Sequence, residues 1–187
     1  ATYQKGEITI KILFYTDVHL REYGSFVPYN KVDSNGFTFE LNNIYQGFLF
    51  VSEKIKELRP DAVFCLGDIF HNQETIAVRA LDTAHRCLVQ VKGSCDALGI
   101  PHYAIPGQHD TYKETLLENT GIFSVRPLQK YFTEIFFQKF EVLCGDESVG
   151  VIPFTSDPAR FYHILVEMSG FADLILCHHD FQGAQYE

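Results

Sequence analysis

Residues 61–71 read Asp-Ala-Val-Phe-Cys-Leu-Gly-Asp-Ile-Phe-His, and this stretch decides the fold. Residues 61–66 read as a short strand, wholly apolar after Asp61, the pattern of a strand covered on both faces. Gly67 lets the backbone turn sharply, which would carry the Asp68 carboxylate over the edge of a sheet, with His71 three residues on. Upstream, residues 8–16 are β-branched and aromatic and read as a strand ending at Asp17; downstream, Pro101 to Ile105 reads as a third strand. Helical periods lie between them. Residues 40–58 repeat Leu41, Ile44, Phe48, Val51, Ile55 and Leu58 before Pro60, and residues 75–98 carry Ile76, Ala80, Ala84, Leu88 and Val91 on one face. Strands alternating with helices predict an α/β fold with a parallel sheet, whose functional groups collect at the carboxyl ends of the strands.

Beyond about residue 127 the pattern changes. The aromatic run 131–143, a Gly-Asp turn and residues 149–153 predict a hairpin or meander, so the sheet is expected to be mixed. Residues 157–169 read as a helix, and 173–177 as a last strand pointing at His178-His179. No repeat, low-complexity tract or linker divides the chain, so residues 1–187 read as one domain.

Composition sets the outer bounds. With 46% hydrophobic and 21% charged residues the chain is an ordinary globular protein, not a disordered, collagen-like or coiled-coil one. Lys+Arg 15 against Asp+Glu 24 gives a net charge of -9, which excludes a protein that grips nucleic acid mainly through a basic surface. No apolar run approaches the ~18 residues that span a bilayer, so no membrane association is expected. The five cysteines are odd in number and form no C-x-x-C pair, which argues against a disulfide framework and suits a reducing cytoplasm.

Four predicted strands end in acidic, amide or imidazole side chains. They are Asp17-Val18-His19, Gly67-Asp68 with His71, Gly107-Gln108-His109-Asp110, and His178-His179-Asp180. Residues two apart at a strand end point the same way, so Asp17 and His19 are expected to reach one ion together. Carboxylates, an amide oxygen and neutral imidazoles suit Mn²⁺, Fe or Zn²⁺ better than Ca²⁺. A carboxylate able to bridge is the natural centre of a two-metal site. Each piece alone has a plainer reading: Asp17 as a turn cap, Asp68 as a turn former after Gly67, Gln108-His109 as a surface turn. It is the ordered set that points to a metal centre.

That order of D-x-H, G-D-x-F-H, G-(N/Q)-H-D and a late His-bearing strand end resembles the calcineurin-like metallophosphoesterases. Gly67-Asp68-Ile69-Phe70-His71 and Thr16-Asp17-Val18-His19-Leu20 are most similar to the SbcD-type nuclease subunits of DNA double-strand-break repair complexes, of phage or bacterial type. The resemblance implies a four-layer fold, a central mixed β-sandwich flanked by helices. It implies two divalent metals, Mn²⁺ first among Fe, Zn²⁺ and Mg²⁺. Asp17 and His19 would hold the first, Asp68 both, and Gln108 and His178 the second, His179 facing solvent or the substrate groove. His109 would stabilise the transition state or protonate the leaving oxygen, with Asp110 holding its ring, and His71 would contact the phosphodiester. The reaction would be in-line attack of an activated water on phosphorus, by a DNA nuclease partnered with an SbcC-type ATPase and working as a homodimer in the cytoplasm. Phosphatase or phosphodiesterase action on small molecules or proteins is the alternative on the same scaffold, and a catalytically incomplete scaffold is a third reading. Two departures stand out. Gln108 replaces the family's Asn, and the family's closing G-H-x-H is absent from this sequence, so a C-terminally truncated domain is expected.

Overall fold

The computed structural model describes residues 10–22, 31–113, 122–144 and 146–179. Residues 8 and 9 of the first expected strand, Gly145 of the Gly-Asp turn and Asp180 lie outside them. Strand β1 (Ile12–Tyr15) is followed by helix α1 (Phe39–Leu58), β2 (Ala62–Cys65), α2 (Val78–Leu98) and β3 (His102–Ala104). The chain then runs through β4 (Thr111–Lys113), β5 (Ile122–Phe123), a 3₁₀ turn at Arg126–Tyr131, β6 (Glu134–Ile135), the hairpin β7 (Phe140–Cys144) and β8 (Glu147–Ile152), α3 (Pro158–Met168) and β9 (Leu174–Cys177).

The helix boundaries follow from local chemistry. Thr38 caps α1, its hydroxyl accepting the Leu41 N–H. Pro60 disfavours the helical conformation at Arg59, which takes φ 45 and donates its N–H back to the Ile55 carbonyl. Gly99, at φ 68, closes α2 in the same left-handed way. Asp157 caps α3 by accepting the N–H groups of Ala159 and Arg160.

β1, β2, β3 and β6 form a parallel sheet in the order β1-β2-β3-β6, with every residue of β2 buried. β7, β8 and β9 form a second sheet, antiparallel then parallel. Alternation along β2 assigns its side chains to two cores. Val63 and Cys65 pack among Leu41, Phe48, Ile55, Leu88 and Val91 of the helices, whereas Phe64 packs with Val142, Val149, Val151 and Leu176 of the second sheet. Ile152 meets Phe161 and Met168 on the far side of that sheet. The layers are thus α1 and α2, first sheet, second sheet, α3, which is the four-layer α/β arrangement with a mixed sandwich at its centre.

The aromatic run is not one meander. Tyr131, Phe132 and Ile135 belong to the helix-side core, so β6 joins the parallel sheet, while Phe136 and Val142 turn into the space between the sheets. Only β7 and β8 make the hairpin. The small β4–β5 pair had no signal in the sequence. Among the described residues, no helix is long and apolar enough to cross a membrane.

Candidate metal centre

Beyond their last residues, β1 and β2 stay in step. Asp17 N–H donates to the Gly67 carbonyl, His19 N–H to Asp68, Leu20 N–H to Ile69, and His71 N–H back to Leu20. Asp17 (φ 56), His19 (φ 49) and Asp68 (φ 54) all adopt the left-handed conformation. Asp and His tolerate it better than most residues, but at a cost of about 1–2 kcal/mol each. The expectation of an extended D-x-H strand end is therefore corrected: two left-handed kinks, not alternation, bring Asp17 and His19 together. Gly67, at φ 100, lies so close to Gly107 that an added Cβ would sit 2.4 Å from the Gly107 nitrogen. The two glycines let the loops after β2 and β3 touch.

Asp68 is the hub. Its carboxylate is almost fully buried; Oδ1 accepts the His109 N–H at 2.8 Å, and Oδ2 lies 3.4 Å from His178 Nε2 and 3.7 Å from His19 Nε2. His19 Nε2 is also 3.6 Å from Asp17 Oδ1. Asp17, Asp68 and His178 bring one ligand atom each within 4.8 Å of one another. Burial raises the Asp68 pKa, but His178 and the His109 N–H outweigh it and hold the carboxyl below its ordinary 3.8. In the same way burial lowers His178, and Asp68 overrides this to raise it above 6.5. The Leu66 carbonyl accepts from His178 Nδ1 at 2.7 Å, which fixes the proton there and leaves Nε2 as the atom facing Asp68. An imidazole oriented through a backbone carbonyl, with its free nitrogen beside carboxylates, here the buried Asp68 and the exposed Asp17, is how proteins hold divalent cations, so the residues fit such an ion.

Three imidazoles stand over this cluster. His71 and His109 stack at 5.2 Å and 17° between planes, and His19 meets each edge-on at 5.4 and 4.9 Å. His109 Nδ1 donates to the His71 carbonyl at 2.6 Å, which leaves Nε2 free for chemistry. His71 and His109 border an open polar cleft of about 560 Å³ that runs along Asn72, Gln73, Glu74 and Thr75. Burial, then the cations near it, holds the His71 pKa below 6.5.

Asp110 differs from expectation. Asp110 is fully buried, and its carboxylate accepts the backbone N–H groups of Ile69, Phe70 and Gly107 rather than the His109 ring. It positions the two loops. Burial pushes its pKa up to about 6 against those N–H groups. Gln108 is exposed, and its backbone carbonyl accepts from Gln73 Nε2 at 3.0 Å. His179 is half-buried and packs on Phe161, ring centres 4.0 Å apart. Sequence reasoning passed over Arg21, which lies 3.1 Å from His71. The signal is the parallel Leu20–Phe70 bridge, which no local pattern announces.

The sequence pattern of the calcineurin-like phosphoesterase family matches residues 10–183. The chain belongs to that family. Calcineurin-like phosphoesterases hydrolyse phosphoesters and normally use divalent metals, in keeping with the donor set around Asp68. The DNA double-strand break repair protein Mre11 of Methanococcus maripaludis is 39% identical over 72 residues, 38% of this phosphoesterase chain and 18% of the relative. The match thus spans less than a fifth of that protein. A protein of unknown function from Aquifex aeolicus, known as a crystal structure, superposes with a TM-score of 0.40 at 15% identity, covering 92% of this chain and 82% of its own.

Proposed function

We propose that this phosphoesterase is a metal-dependent DNA nuclease of the SbcD type, the homodimeric nuclease subunit that works with an SbcC-type ATPase in repair or recombination. The observation that carries the reading is the stacked His71–His109 pair, joined through His19 to the Asp17–Asp68–His178 cluster, with His71 closing the G-D-x-F-H pattern that resembles the nuclease branch. The partial identity to a double-strand break repair protein supports it. In this reading Asp17 and His19 hold one cation, His178 and the Gln108 amide oxygen the other, and Asp68 both, with Mn²⁺ the preferred ion. Bound cations of this kind neutralise phosphate charge and lower the pKa of water, which makes hydrolysis feasible at neutral pH. His109, its Nδ1–H tied to the His71 carbonyl, stabilises the transition state or, as the imidazolium that also carries a proton on Nε2, hands that proton to the leaving oxygen. His71 grips the phosphodiester, and the cleft along 72–75 takes the neighbouring nucleotides.

The test compares DNA with nitrophenyl phosphate esters, using the purified protein and Mn²⁺. The expected result is DNA cleavage that a chelator stops, and a His71→Ala variant that keeps its metal while cleaving DNA 10²–10⁴-fold more slowly. Rapid nitrophenyl ester hydrolysis with intact DNA would transfer the assignment to a phosphatase. No turnover of either ester by metal-loaded protein would leave a non-catalytic scaffold.

A further inference from the structure

Arg21 follows directly on the D-x-H-L segment, and the parallel Leu20–Phe70 bridge sets it beside His71. Its Nη1 lies 3.1 Å from His71 Nε2. A guanidinium only donates, so His71 Nε2 must accept and the ring proton must sit on Nδ1. That Nδ1 is shielded from solvent and has no hydrogen-bond partner among the described residues. A buried N–H left without an acceptor is costly, and beside an open polar cleft it is a donor that a ligand's acceptor can satisfy. Arg21 is itself held: its Nε lies 3.6 Å from Glu40 Oε1 in the first turn of α1, and the adjacent Glu22 pairs at 3.0 Å with Arg79 in the first turn of α2. Both helices therefore peg the segment that touches His71.

From this geometry we propose that Arg21 is a positioning residue, which fixes the tautomer and orientation of His71 so that its Nδ1–H is presented to a phosphoryl oxygen of the substrate. The proposal deepens the nuclease reading and rests on it for the identity of the acceptor. Arg21 acts through His71, not on the phosphate. Hydrogen bonds that orient an active imidazole in this way are typically worth 10–100-fold in activity.

Two measurements separate this idea from the reading beneath it. Ring ¹H–¹⁵N NMR of the metal-free protein reports the tautomer with no turnover. His71 is expected to be protonated at Nδ1 in the wild type and to shift toward Nε2 in Arg21→Met, with His109 and His178 unchanged. In DNA cleavage, Arg21→Met is expected to lower kcat roughly 10–100-fold at unchanged metal content, with Arg21→Lys, which still donates, recovering part of the loss. The double variant Arg21→Met/His71→Ala should be no slower than His71→Ala alone. A wild-type His71 protonated at Nε2, or losses that multiply in the double variant, would overturn the proposal. Absence of DNA cleavage by the wild type would instead remove the nuclease reading, and the NMR result would still decide the role of Arg21.

Discussion

His102 shows how completely one side chain can be specified by its surroundings. It is 2% exposed, its Nε2 bonded to the Tyr15 hydroxyl at 2.9 Å and its Nδ1 to the Tyr131 carbonyl at 3.1 Å. Both ring nitrogens are used by the neutral form, and burial pushes the pKa down from 6.5 to about 3. A group whose folded pKa is depressed in this way takes up a proton more readily when unfolded. Its stabilising contribution is therefore whole above pH 6.5 and is lost as pH falls toward 3, at about 1.4 kcal/mol per pH unit. Between pH 6.5 and 5 the loss is about 2 kcal/mol. Urea unfolding of wild type and His102→Gln at both pH values checks this: the wild type should lose more stability than the variant, and equal losses would refute the assignment. Nothing local in the sequence marks His102 for this role, because its partners are 87 and 29 residues away. The same distance hid the true partners of Asp110, whose carboxylate serves backbone 40 residues upstream.

At the scale of elements, the strands and helices were readable wherever apolar periodicity had only one solution, as in β2, α1 and α2. What periodicity could not carry was the conformation past a strand end. Asp17 and His19 were expected to alternate like strand residues, yet they kink because the Gly67 and Asp68 carbonyls claim their N–H groups. The turns after β2 and β3 depend on each other: a Cβ on Gly107 would fall 2.2 Å from Asp68 Oδ1 and 2.6 Å from its nitrogen. Gly107→Ala must therefore displace Asp68, the hub of the candidate centre. The expected cost is about 1–3 kcal/mol of stability together with weakened Mn²⁺ binding. Gly93, exposed on α2 with nothing within 4 Å of an added Cβ, is the contrast. Gly93→Ala should stabilise the protein by about 0.5–1 kcal/mol and leave metal binding unchanged. Calorimetry with and without Mn²⁺ on the two variants reads both effects, and a Gly107→Ala protein that binds Mn²⁺ normally would contradict the contact.

Across the whole molecule, the candidate centre lies where two sheets meet. The ends of β1, β2 and β3 supply Asp17, His19, Asp68 and His109, while His178 arrives from β9 of the other sheet and is anchored on the Leu66 carbonyl. A cation held between Asp68 and His178 would therefore tie the two halves of the sandwich, in a chain whose net charge of -9 otherwise repels itself. The net charge alone excluded a basic-surface binder of nucleic acid; in the proposed reading, bound cations would concentrate at one point the positive charge that a phosphate meets. Ligand linkage sets the size of the effect. Mn²⁺ at about 100 times its Kd adds roughly 2.7 kcal/mol to the folded state, which for a domain of this size raises Tm by about 5–11 °C. Scanning calorimetry should show that rise with MnCl₂ and not with NaCl of equal ionic strength. Asp68→Ala, whatever its own baseline stability, should show almost none of it, because the variant lacks the carboxylate shared by both sides. A full Mn²⁺-dependent rise in Asp68→Ala would place the cation elsewhere and separate it from the junction of the sheets.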